Sequence, residues 1–166
     1  MSHHQKEAGA HHACLLLGSN IQPEQNLPRA VKLLRHYVVV EKASTVWETS
    51  PVGSPGPNFL NMAVMIWVSL DRRSFKAQVL RSLEAQLGRV RTPDKYAART
   101  IDIDIIIWDS LVVEADVWKF AHIAAPVAEL LPHLRSEETG EILEQAARRL
   151  AGEASIRKRT VIGLDK

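Results

Sequence analysis

The 166-residue chain has one cysteine, Cys14, so no internal disulfide can form. It has no long apolar run and no signal-peptide pattern, so the expected compartment is the cytoplasm, with no membrane role. It has little charge imbalance: 21 basic against 19 acidic side chains leave a formal charge of +2. Readers of nucleic acid concentrate a basic excess on one face, so nucleic acid is not an expected partner. The strands also lack the surface aromatics an RNA-binding sheet needs. The pattern G-x-x-x-x-G-K-[ST] is absent, which excludes a P-loop enzyme.

What is present suits one domain around one core, since apolar residues make up 46% of the chain. Cys14, inside ACLLLG, reads as a small buried hydrophobe and not a nucleophile. Residues 1–12, MSHHQKEAGAHH, hold four of the seven histidines. They read as a disordered start or tag remnant outside the fold, leaving residues 13–166 as a single domain.

Along the chain, Ala13 to Leu17 reads as a buried strand that turns at Gly18-Ser19-Asn20. Leu27, Val31, Leu34 and Val38 keep helical spacing, and Pro28 fits only a first turn, so a helix is expected to begin near Asn26. Val38 to Trp47 and Phe59 to Leu70 read as strands, separated by the loop ETSPVGSPGPN. Asp71 is a good N-cap for a helix whose stripe is Phe75, Val79, Leu83 and Leu87, stopped by Gly88. Ile101 to Trp108 is a strong strand, with a short partner at Leu111 to Val113. A short helix near Val127 to Leu131 and a longer one near Glu138 to Leu150 precede a basic end, RKRT. The order β-α-β-β-α-β predicts an α+β, ferredoxin-like antiparallel sheet backed by helices, with C-terminal helices added.

Two carboxylates interrupt the last strong strand, ARTIDIDIIIWD. Strand side chains alternate faces, so Asp102 and Asp104 point the same way, with Ile101, Ile103 and Ile105 toward the core. Their Cα atoms would lie roughly 6.5–7 Å apart. Carboxylates at that spacing can each reach one of two magnesium ions about 3.5–4 Å apart. Magnesium favours a few carboxylates plus phosphate oxygens. The plainer alternative is a solvated strand face whose aspartates pair with nearby arginines. Arg89, Arg91, Lys95 and Arg99 lie just upstream, and such cations beside fixed carboxylates suit phosphoryl transfer.

Four motifs stand in order: LLLGSN, ETSPVGSPGPNFLN, LEAQLGRVR and ARTIDIDI. From about Ala13 to Pro132 the chain resembles the hydroxymethyldihydropterin pyrophosphokinases of folate biosynthesis, which share the ferredoxin-like fold. The resemblance implies an ATP-dependent diphosphotransferase that moves the terminal diphosphate of ATP to 6-hydroxymethyl-7,8-dihydropterin and releases AMP. It implies two Mg2+ ions on Asp102 and Asp104, and Arg89 and Arg91 in a loop that closes over ATP. It places Glu84, Arg99, Ile105 and His122 at the nucleotide, and Thr49, Pro51, Val52, Phe59 and Asn61 at the pterin. The segment after His122 is short compared with the family: only Ile123, Ala124 and Ala125 precede PVAELLP. That removes an arginine and the second pterin aromatic, so Lys119 is expected to supply charge and Trp118 or Phe120 to fill the stacking gap. Three other readings remain: a related enzyme with a different acceptor, a binding or regulatory module without catalysis, and an RNA-binding domain, the last a poor fit.

Overall fold

The computed structural model describes residues 9–53, 55–161, 163 and 164. The chain order is β1 (His11–Ser19), α1 (Pro23–Leu34), β2 (Val39–Ala43), β3 (Val46–Thr49), β4 (Phe59–Val68), α2 (Arg72–Phe75), a π-helical turn (Lys76–Leu80) and α3 (Arg81–Gln86). There follow β5 (Asp102–Trp108), β6 (Leu111–Val112), a 3-10 turn (Ala115–Trp118), α4 (Ala121–Leu130), α5 (Leu143–Glu153) and β7 (Ile156–Arg159). The strands form one antiparallel sheet in the order β6-β5-β1-β4-β3-β7, and β2 also pairs β4. Its centre, β5-β1-β4, carries the expected ferredoxin-like arrangement.

Strand alternation divides β1 between two cores. Ala13, Leu15 and Leu17 join Leu27, Val31, Phe75 and Leu83 of the α1 to α3 side. Cys14 and Leu16 join Ile123, Val127 and Leu150 of the α4 and α5 side. A register shift between Cys14 and Leu15 leaves Ile106 as an extra residue of β5. Such a bulge resets the alternation, so Ile106 and Ile107 both face α4 and α5 while Trp108 returns to the first core.

The segment from Arg72 to Gln86 keeps the expected stripe: Phe75, Val79, Leu83 and Leu87 are all buried. The Asp71 carboxylate accepts from the Ser74 backbone N–H at 2.9 Å, and Gly88 turns out of the helix at φ +82°. Gly88 suits that position because it has no Cβ to clash there.

Several expected boundaries move. β1 begins at His11, so His11 and His12 belong to the fold; residues 1–8 lie outside the described residues. The His12 ring stacks on Trp67 at 4.1 Å and bonds Glu41 at 2.5 Å, and His11 bonds Asp109 at 2.6 Å. α1 starts at Pro23, which takes the first-turn position instead of Pro28, and Pro28 sits inside the helix. The single strand expected over Val38 to Trp47 is two, because Ser44 breaks it. The Ser44 Oγ accepts the Ala63 N–H at 2.8 Å in place of a ladder carbonyl. α4 starts at Ala121, well before Val127, and the expected helix from Glu138 starts at Leu143. The RKRT end is not simply solvated: Arg157 and Arg159 reach Glu48 at 2.6 and 2.9 Å as β7 pairs with β3.

Candidate active site

Gly18 sits between two chemistries. It pairs with Asp102 on β5 and with Asn61 on β4. A Cβ on Gly18 would lie 2.9 Å from the Asn61 Oδ1, so only glycine leaves that floor open. A cavity of about 190 Å³ stands over it. One wall is neutral and partly aromatic: Thr49, Ser50, Pro51, Val52, Phe59, Asn61 and Tyr96. Leu16, Lys95, Arg99, Asp102, Asp104 and His122 complete the lining. A second cleft shares Lys95, Arg99 and both aspartates and adds Arg89, Arg91, Thr92 and Asp94. The carboxylate pair therefore marks the junction of a neutral pocket and a cationic cleft.

The neutral wall is held by the sheet. Asn61 donates from Nδ2 to the Thr49 Oγ1 at 2.9 Å, and both residues are buried. Because β3 and β4 fix both Cα atoms, the remaining polar atoms of the pair are set in advance. Tyr96 comes from the irregular segment before β5 and lies against Gly53, where a Cβ would meet its ring at 2.3 Å.

The cationic side is held by ion pairs. Arg99 donates from Nη1 to the Asp102 Oδ2 at 2.8 Å and from Nη2 to the Lys95 carbonyl. Its own backbone is clamped by Asn20. The Arg99 N–H donates to the Asn20 Oδ1 at 2.7 Å, and its carbonyl accepts from Asn20 and Ile21 at 3.1 and 3.2 Å. Gly18-Ser19-Asn20 is thus more than a turn. Arg89 donates to the Ile101 carbonyl at 3.1 Å and lies 3.5 Å from Asp102. Arg91 pairs with the buried Glu84 at 3.0 Å.

Asp104 has no ion pair among the described residues. The protein around it, then the charges of Asp102 and Glu114, push its carboxyl up to about 6. Burial and then Asp102 push Glu84 up to about 7. Burial lowers the pKa of His122, which favours its neutral form. No cluster of three or more His, Cys, Asp or Glu side chains stands ready for a metal among the described residues.

Most site residues expected from the sequence meet here: Thr49, Pro51, Val52, Phe59, Asn61, Arg89, Arg91, Arg99, Asp102, Asp104 and His122. Others stand apart. Ile105 packs in the α1 to α3 core, Glu84 lies beneath Arg91, and Lys119 is exposed away from both cavities. Trp118 and Phe120 pack against the α4 and α5 core and do not line the pocket. Leu16, Gly18, Ser50 and Tyr96 line it without having been singled out as site residues, and Lys95, noted only as a nearby cation, joins them. The LLLGSN motif pointed to Gly18, but its role depends on Asn61 across the sheet.

A family model for 7,8-dihydro-6-hydroxymethylpterin-pyrophosphokinase matches residues 14–132. The chain belongs to this pyrophosphokinase family. It is 34% identical over 145 residues to the 2-amino-4-hydroxy-6-hydroxymethyldihydropteridine pyrophosphokinase of Bacillus subtilis, covering 80% of this chain and 86% of that one. The enzyme of the same name from Synechocystis is 29% identical over 146 residues, covering 81% and 74%. The folate synthesis bifunctional protein of Arabidopsis thaliana is 30% identical over 172 residues, and this chain spans only 35% of its length. The crystal structure of Plasmodium falciparum HPPK-DHPS shares the fold, with a TM-score of 0.71 at 11% identity, over 87% of this chain and 46% of that one. No helix among the described residues of this pyrophosphokinase-family chain is long and apolar enough to cross a membrane.

Proposed function

We propose that the chain transfers diphosphate from ATP to 6-hydroxymethyl-7,8-dihydropterin, a step of folate synthesis. The pterin hydroxymethyl oxygen bonds to the β-phosphorus of ATP, the bond between that phosphorus and the α,β-bridging oxygen breaks, and AMP leaves. The hydroxyl proton passes to solvent. The observation that carries this reading is the carboxylate pair at the junction of the neutral pocket and the cationic cleft.

The neutral wall suits the pterin. The Thr49–Asn61 pair offers buried donors and acceptors to the edge of a flat heterocycle, where mismatched groups go unpaired at a cost of about 1–3 kcal/mol each. Phe59 and Tyr96 offer the rings to stack on it. Tyr96 takes the place expected of Trp118 or Phe120. The cleft suits a triphosphate: Arg89, Arg91, Lys95 and Arg99 supply charged donors to phosphate oxygens. Neutral His122 donates a hydrogen bond to a phosphate oxygen. Together these groups align the hydroxyl with the β-phosphorus and exclude water that would hydrolyse ATP.

Asp102 and Asp104 fit a divalent cation. They share one strand face, Asp104 has no ion pair among the described residues, and their mutual repulsion is what a cation relieves. Two protein carboxylates match magnesium, which takes its other ligands from phosphate and water. Two Mg2+ ions held there would supply neutralisation of the charge on the triphosphate oxygens.

The test is AMP release from Mg-ATP with and without the pterin. Release only when pterin is present supports the reading. Tight ATP binding without AMP release would mark a binding module instead, and release with another pterin alcohol would mark a changed acceptor.

A further inference from the structure

We propose that the Glu84 carboxylate is a latch: it stores the Arg91 guanidinium against α3 in the ligand-free protein and yields it to phosphate oxygens when nucleotide enters. The release step rests on the pyrophosphokinase reading above; the storage step stands on contacts of the ligand-free chain.

A buried carboxylate needs a partner. The Glu84 side chain is 4% exposed, and its side-chain partner is the Arg91 Nη2 at 3.0 Å. The same residue's carbonyl accepts the Arg89 N–H at 2.9 Å. Gly88, at φ +82°, turns the chain back between them. One residue of α3 therefore pins the root of the cationic segment at two points.

The two arginines are not equivalent. Arg89 is 11% exposed and bound to the Ile101 carbonyl and Asp102, so it stays with the strand. Arg91 is 51% exposed and lines the cleft beside both aspartates, where an incoming phosphate competes for its fork of donors. Once Arg91 leaves, the positive charges of Arg89 and Arg81 still act on the Glu84 carboxylate. Glu84 is in this account a positioning residue, not a catalytic one.

The experiment compares wild type, Glu84→Gln, Arg91→Ala and the double variant. In the ligand-free protein, Glu84→Gln should speed amide hydrogen exchange over residues 90–98 at least about twofold; unchanged exchange overturns storage. With Mg2+ and a non-hydrolysable ATP analogue, Glu84→Gln should tighten binding at least about twofold in the wild-type background and do nothing beside Arg91→Ala, as coupled neighbours behave. Equal weakening in both backgrounds would show that Glu84 supports only the fold or touches the nucleotide itself, and overturns the latch. A wild type that binds no analogue overturns the functional reading and the release step together, while the exchange result still decides storage.

Discussion

The two halves of the site are built from opposite materials. The neutral wall is already hydrogen-bonded where the strands carry it, with Asn61 and Thr49 fixed by the ladder between β3 and β4. The cationic wall sits on the irregular segment between α3 and β5, its arginines held by Glu84 and Asp102. A neutral pair needs no counter-charge and is ready before the ligand arrives. Charges need partners, so in the ligand-free chain the carboxylates serve the arginines that a triphosphate would claim.

That contrast breaks most visibly at the carboxylates. Asp102→Ala and Asp104→Ala should each cut AMP release about a hundredfold or more, as loss of a charge-stabilising group does, while circular dichroism shows the fold intact. Near-normal turnover in either variant would remove the metal assignment. Asn61→Leu leaves the Thr49 hydroxyl unpaired and should weaken pterin binding about 5- to 150-fold, with Mg-ATP affinity unchanged, in equilibrium fluorescence titration. A matching loss of ATP affinity would mean the two walls are not separate. Tyr96→Ala should weaken pterin binding about 2- to 10-fold, as loss of one aromatic partner does. Trp118→Ala should lower the melting temperature and leave pterin affinity alone; the reverse pattern would return the stacking role to Trp118.

The smallest effect is in pH. Asp104 and Glu84 have pKa values raised to about 6 and about 7, so the folded chain binds their protons more tightly than the unfolded chain. Their contribution to the stability of the metal-free protein is therefore full below about pH 4 and falls as pH rises from there to about 7. Asp104→Asn and Glu84→Gln should each flatten the melting temperature over that range. Glu48 does not confuse the measurement. Arg157 and Arg159 lower its pKa to about 2, so its contribution is lost only in more acid solution.

Local order determined what could be read along the chain. Asp71, Gly88 and the stripe Phe75, Val79, Leu83 and Leu87 mark their helix because capping and 3.6-residue spacing act within a few residues. The alternation in IDIDI likewise placed Asp102 and Asp104 on one face, since strand period needs no knowledge of neighbours. The motifs around them were enough to suggest the family. Tertiary structure alone decided the rest. β7 looks like a charged end until Glu48, more than a hundred residues earlier, neutralises its arginines. Gly18 looks like a turn until Asn61 crowds it from β4. Trp118 and Phe120 offered aromatic rings in the right stretch of sequence, but α4 draws them to its own core and Tyr96 lines the pocket. For β7 and Gly18 the deciding contact joins residues distant in sequence. Periodicity reports which face a side chain takes, and only the folded sheet says what it meets there.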